Sequence, residues 1–399
     1  FSKKYTFSSV KEVLAKANEK KSGDTLAGIG AADAKERTAA KYVLSDLTVE
    51  EITNSPAVDY KSDSVTRIIL DDLNRAQYDK IKNLTIGELR EKILDNMISG
   101  DEILQLAGGM SSEVIAALAK LMGNLDLMYV SRKLHVTATC NTTIGERGTF
   151  AARLQPNHPT DDVKGVTASL LEGLSYGIGD AVIGLNPAID TLKSTADILT
   201  LFNDVKTKLA VPTQICVLSH ITTQMQALRQ GVPMDLCFQS IAGSEKALSS
   251  FGTDVDMLAE ANELMAERGT AKGPNYLYFE TGQGSELSSN SHNGADQLVM
   301  ESRCYGLARH YKPFLVNTVV GFIGPEYIYD SKELVRAALE DNFCGHMHGL
   351  PMGCDICYTN HMKADQNDCD SLLVMLASSG CHYVIGVPQS DDVMLMYQS

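Results

Sequence analysis

From residue 148 onward the chain alternates. Short runs rich in β-branched, aromatic and apolar residues are separated by longer stretches with helical spacing of their apolar positions. The runs are TFAARLQPN, DAVIGLNPA, TQICVLSH, DLCFQSIAG, YLYFETG, PFLVNTVVGF, GLPMGCDIC and HYVIGVPQ. Between them lie stretches such as TLKSTADILTLFNDVKTKLA and SKELVRAALEDN. Parallel strands need a crossover of a dozen or more residues, which a helix supplies. Spacings of roughly 20–40 residues from run to run therefore predict βα units. Eight units over about 250 residues match a (β/α)8 TIM barrel. The alternative, an open doubly wound sheet, carries a glycine-rich phosphate turn after its first strand, and RLQPNHPTDD is nothing of the kind.

The residues before this alternation read as capped helices. A serine precedes VKEVLAKANEK, Thr85 is followed three residues on by Glu88, and Ser111 and Ser112 stand before EVIAALAKLM. The expected organisation is a helical N-terminal domain over 1–135 and a barrel carrying the active site over 136–399. A chain of 399 residues, 44% hydrophobic and 21% charged, can bury a large core. Its net charge of −15 argues against nucleic acid or an anionic membrane as partner, since both need basic surface. No apolar run is long enough to span a bilayer, and the opening FSKKY has no apolar signal core. Nine scattered cysteines in such a chain predict reduced thiols and a cytoplasmic location.

In a barrel the C-terminal strand ends converge on one mouth, where active sites are built. Here those ends carry Arg153, Gln155, Asn186, His220, Gln239, Ser240, Glu280, Asn317 and Asp355, and the eighth run ends Pro388-Gln389. Glu280 poses the sharpest question, because a charged acid closing the buried run YLYF is costly without a partner. Barrel closure would supply Arg153 and Asp355. Two carboxylates with amides suit a small ammonium, whereas a guanidinium and a Gln suit a hydroxyl or carbonyl oxygen. The set therefore points to a small, polar, amine-bearing substrate. Gly282 and Gly284 are expected to clear space for something large above the mouth.

Other chemistries fit less well. Any one polar strand end can be an ordinary loop start. Cys354-x-x-Cys357 resembles half a zinc knuckle, but no second pair completes it, and no metal site is expected. No strand end offers a lysine for Schiff-base chemistry (Lys246 is nearest), and no G-x-S-x-G elbow is present. A cofactor is then implied.

Several stretches together resemble the large (α) subunit of ethanolamine ammonia-lyase: NTTIGERGTFAARLQPN, GDAVIGLNP, FQSIAGSEK, LYFETGQGS, NTVVGFIGPEY, MGCDICYTNH and DDVMLMYQ. The resemblance spans nearly the whole chain, including VKEVLAKANE and RIILDDLN. It implies a barrel that seats adenosylcobalamin at its C-terminal mouth, a small-subunit partner and a higher hetero-oligomer. Substrate contacts would fall on Arg153, Gln155, Asn186, Glu280 and Asp355, with Arg153, Glu280 and Asp355 catalytic. Cofactor contacts would fall on Pro187, Gln239, Ser288, Phe322 and Met394. No D-x-H-x-x-G occurs, which agrees with a cofactor that keeps its own base on cobalt. The implied reaction is radical deamination of ethanolamine to acetaldehyde and ammonia. Glu280 and Asp355, with Gln155 and Asn186, would hold the ammonium, and Arg153 the oxygen. Rival readings are an inactive scaffold subunit and a (β/α)8 aldolase or metal-dependent lyase. Glu146-Arg147 departs from the family pattern, and the chain stops at MLMYQS, short of where members usually end. No encapsulation tag is legible, and enclosure in a bacterial microcompartment is left open.

Overall fold

The computed structural model describes residues 4–321 and 324–388, and the backbone alone of 391–392 and 397–398. The alternating runs form eight parallel strands: β1 (Ala151–Leu154), β2 (Val182–Leu185), β3 (Ile215–Val217), β4 (Cys237–Ser240), β5 (Leu277–Thr281), β6 (Leu315–Val320), β7 (Met352–Ile356) and β8 (Tyr383–Gly386). Their order is β3-β2-β1-β8-β7-β6-β5-β4. One backbone hydrogen bond, Leu236 N–H to Ile215 C=O at 3.2 Å, spans the seam between β3 and β4. The sheet is therefore a nearly closed barrel with helices outside, as the spacing predicted.

The lumen is filled by its own apolar cluster, which includes Val182, Cys216, Leu236, Tyr278, Leu315 and Tyr383. A short antiparallel hairpin, Ala138–Thr139 with Ile144 and Thr143, contributes Ala138 and Ile144 to it. This places the hairpin at the N-terminal end of the barrel, leaving the strand C-termini as the open face. Two strand glycines let large side chains cross the lumen. A Cβ on Gly353 would sit 2.2 Å from Cζ of Tyr383, and one on Gly184 3.1 Å from Nε of Arg153.

The predicted caps form. Ser9 accepts from the Glu12 N–H, Thr85 and Glu88 make a capping box, and Ser111 accepts from the Val114 N–H. The N-terminal helices lie on one side of the barrel. Helix Ser112–Lys120 is buried along its whole length and packs on helices Gln297–Tyr311 and Ser331–Met347. Buried ion pairs join the two layers: Lys21 to Glu340 at 2.6 Å, Arg303 to Asp63 at 2.9 Å and to Glu113 at 2.7 Å, and Lys120 to Asp296. All nine cysteines are buried, unpaired thiols. Among the described residues no helix is long and apolar enough to cross a membrane.

Candidate active site

Strand alternation sends Tyr278 and Glu280 to the lumen and Phe279 outward, where its ring meets Tyr311 edge-on at 6.0 Å. Arg153 comes from the far side of the barrel and is fully buried. Its Nη1 donates to the Tyr278 hydroxyl at 2.7 Å and to Glu280 Oε1 at 2.8 Å. Its Nη2 donates to Asn186 Oδ1 at 3.1 Å and to the Gly184 carbonyl at 3.3 Å. The Tyr278 hydroxyl in turn donates to Glu280 Oε1 at 2.6 Å. The acid at the end of the buried strand thus has the charged partner that burial demands. Burial pushes the Tyr278 pKa well above its usual value, so the phenol stays a donor.

Glu280 Oε1 is saturated, while Oε2 takes no protein hydrogen bond among the described residues. The side chain is 16% exposed and lines a cavity of about 400 Å³ at the mouth. Leu218, Phe238 and Val319 form part of the cavity's apolar wall, and Ser219, Gln239 and Ser285 lie along it. Asp355 is buried in β7, paired in register with Val319. Gln155 is buried directly after β1. The structure therefore joins Arg153, Asn186 and Glu280 by direct bonds, with Gln155 just after the strand of Arg153 and Asp355 near the end of β7 in the same barrel.

The proposed cofactor positions are more dispersed. Gln239 points out of the lumen, and its Oε1 accepts the Ile221 N–H at 3.1 Å, closing the start of helix Ile221–Arg229. Ser288 is exposed in helix Ser285–Ser288, its hydroxyl on the Ser285 carbonyl at 2.8 Å. Pro187 is half-buried just after β2. Phe322, Met394 and Gln389 lie outside the described residues. His220 is a helix N-cap, its ring held between Thr222 Oγ1 and the Phe251 carbonyl. Gly284 also has a conformational reason of its own, a φ of 104° that favours glycine.

Two buried acids, Glu301 and Asp341, grip the β5 loop from behind, and a third, Glu286, ties that loop to the residues after β4. Glu301 is held by the Tyr305 hydroxyl at 2.8 Å and by the Gly282 backbone. Asp341 accepts from Gln283 Nε2 at 2.8 Å and from Thr318 Oγ1 at 2.7 Å. Glu286 accepts from the Gly243 N–H at 2.6 Å and the Ser244 hydroxyl at 2.9 Å. Burial pushes Glu286 and Glu301 up to about 7. Burial, then the Glu301 charge, holds Asp341 well above the carboxylate range. These acids and Tyr278 were not singled out in the sequence. Their signal is an acid inside an otherwise apolar helix, as in LVMESRCYG and RAALEDNFC, and a tyrosine two residues before a lumen-facing acid.

A family model described as ethanolamine ammonia lyase large subunit matches residues 5–399. The chain is 54% identical over 399 residues to the ethanolamine ammonia-lyase large subunit of Escherichia coli (strain K12), covering 100% of this chain and 88% of that one. The same figures hold for the ethanolamine ammonia-lyase large subunit of Salmonella typhimurium (strain LT2).

Proposed function

The chain belongs to the ethanolamine ammonia-lyase large-subunit family, and from that premise we propose that it is the catalytic subunit of a lyase that splits 2-aminoethanol into acetaldehyde and ammonia. The observation that carries this reading is Glu280. One carboxylate oxygen is locked by Arg153 and Tyr278, and the other faces a mouth cavity with no protein donor on it among the described residues. A small ammonium supplies the missing donors through charge-assisted bonds. Asp355 adds a second negative charge to that end of the substrate.

Arg153 has its four Nη hydrogens on Tyr278, Glu280, Asn186 and Gly184. We propose that it holds the substrate oxygen and stabilises charge that builds there. Asn186 spends Oδ1 on Arg153, which leaves its Nδ2 to donate. Asn186 Nδ2 then meets the hydroxyl oxygen, and Gln155 helps Glu280 and Asp355 hold the ammonium. Glu280 also exchanges a proton with the amine as that group leaves.

The polar and apolar lining of the mouth would also suit part of adenosylcobalamin. The cavity joins an apolar wall to hydroxyl and amide edges, and Asp190 and Ser285 line it, neighbours along the chain of Pro187 and Ser288. Pro187, Gln239, Ser288, Phe322 and Met394 would hold the group. When bound, it supplies the radical that removes hydrogen from the carbinol carbon. The chain's own residues orient the substrate beneath it and keep water out. A small subunit completes the enzyme in a higher hetero-oligomer.

The test is to combine the chain with its small subunit, adenosylcobalamin and 2-aminoethanol and to measure acetaldehyde and ammonia. Equal amounts of both are expected, and Glu280→Gln should lower kcat by about 100-fold or more. An inactive wild type that binds the cofactor would sink the reading in favour of a scaffold.

A further inference from the structure

The chain leaves β2 through Asn186, Pro187, Ala188 and Ile189. Ala188 and Ile189 are exposed, so packing does little to set this turn. Along β2 the Ile183 N–H points to β3, where it meets the Gln214 carbonyl at 2.9 Å. Alternation then turns the Asn186 N–H to the β1 side, but β1 has already ended at Leu154. Side chains of the β1 loop take over from the ladder. Asn157 Oδ1 accepts the Asn186 N–H at 2.8 Å, and Asp161 accepts the Ala188 N–H at 2.8 Å and the Ile189 N–H at 2.9 Å. Pro187 has no N–H, so every backbone donor from Asn186 to Ile189 ends on these two side chains. Asp161 does this from a left-handed backbone, φ 53°, which residues other than glycine seldom adopt. Bonds of this kind continue around the mouth, from Asp190 to the His220 N–H at 2.8 Å and from Glu286 to the Gly243 N–H at 2.6 Å. The one from Asn157 differs in landing on a residue whose own side chain bonds Arg153.

We propose that Asn157 is a positioning residue. Its buried amide fixes the backbone of Asn186 and, through it, the direction of the Asn186 side chain between Arg153 and the substrate oxygen. Pro187 restricts Asn186 to extended backbone from the other side, so the residue is pinned at both of its peptide bonds. Only the two side-chain torsions of Asn186 remain, and the bond from Arg153 Nη2 to Oδ1 at 3.1 Å selects among them. Nδ2 is thereby left for the hydroxyl. Asn157 thus acts through Asn186, and this inference rests on the reading of the site as an amine lyase.

The test is a double-mutant cycle in the complete enzyme of both subunits with adenosylcobalamin: Asn157→Leu, Asn186→Ala and the pair, each measured for kcat/KM and thermal midpoint. Asn157→Leu keeps the size and removes the acceptor, and should lower kcat/KM at least about 10-fold. In the Asn186→Ala background the same change should lower kcat/KM by less than about 2-fold, because the amide it positions is gone. The midpoint should fall alike in both backgrounds, since the backbone N–H of residue 186 is present in both. Asn157→Asp keeps Oδ1 and should hold kcat/KM within about 3-fold of wild type. Wild-type kcat/KM in Asn157→Leu, an equal fold loss in both backgrounds, or Asn157→Asp as low as Asn157→Leu would each overturn the proposal. If Asn157→Leu does not assemble, Asn157→Ala, which admits water to the Asn186 N–H, takes its place in the cycle with the same expectations. An inactive wild type would count against the lyase reading, whereas an additive cycle in an active enzyme would overturn this inference alone.

Discussion

Tyr278 fixes the geometry on which the candidate site depends. Its hydroxyl accepts from Arg153 and donates to Glu280, closing a three-membered ring of bonds at 2.7, 2.8 and 2.6 Å. Tyr278→Phe removes one corner and leaves Arg153 and Glu280 with a less constrained pair. Hydrogen bonds to charged groups contribute about 1.5–3 kcal/mol, so kcat/KM should fall roughly 10-fold or more, and the denaturant midpoint should fall with it. Steady-state kinetics and urea unfolding on the same preparation check both, and unchanged kcat/KM would show that Tyr278 only fills space. The sequence made Glu280 conspicuous because a charge interrupts an aromatic run. It hid Tyr278 because the polar tip of a tyrosine reads as bulk. Residue parity held the clue: positions 278 and 280 share a face, and so do 238 and 240. That parity also turns Gln239 away from the lumen, to a helix start that strand-end position alone did not reveal.

The strand–helix alternation made all eight barrel strands legible, because each run is bounded by polar turns and helical spacing. Contacts between elements were not legible, since they join positions far apart in the chain. The crossing of Tyr383 over Gly353 and the grip of Glu301 and Asp341 on the β5 loop belong to this class. That grip predicts a pH effect. Glu301 binds its proton more tightly in the fold, its pKa moving from 4.5 to about 7. The stability it contributes is therefore complete below about 4.5 and is lost as pH rises through about 7. Buried histidines oppose this trend. Burial lowers His346 and His382, and burial with the Arg309 charge takes His348 from 6.5 to about 3. Their contribution is lost as pH falls below 6.5. Comparison with Glu301→Gln separates the two. Between about pH 5 and about pH 8 the thermal midpoint of the wild type should lose more than that of Glu301→Gln. Parallel profiles would remove Glu301 from the account.

At the scale of the molecule, buried charges and one continuous apolar cluster join the N-terminal helices to the barrel. Lys21 and Glu340 are 319 residues apart and meet at 2.6 Å, a pairing no local pattern announces. Glu340 also accepts from Arg336 at 2.6 Å. Burial would raise its pKa, but Lys21 and Arg336 hold it down, to about 2. The stability this provides is present above the ordinary 4.5 and is lost as pH falls toward 2. The pair also touches the site. Glu340 receives Gln283 Nε2 at 3.4 Å, and the same amide group reaches Asp341 at 2.8 Å. Gln283 lies three residues after Glu280, so the helical layer supports β5 from outside. Lys21→Met leaves Glu340 with half its counter-charge. Breaking a buried pair on one side costs about 3–5 kcal/mol, and Arg336 places the expected loss near the lower end, about 3 kcal/mol in urea unfolding. Glu340 should then titrate higher, so acid unfolding should begin at a higher pH than in the wild type. Slackening at Gln283 should lower kcat while Glu280, Arg153 and Asp355 are untouched. Equal acid midpoints for wild type and Lys21→Met would show that the two layers are held by apolar packing instead.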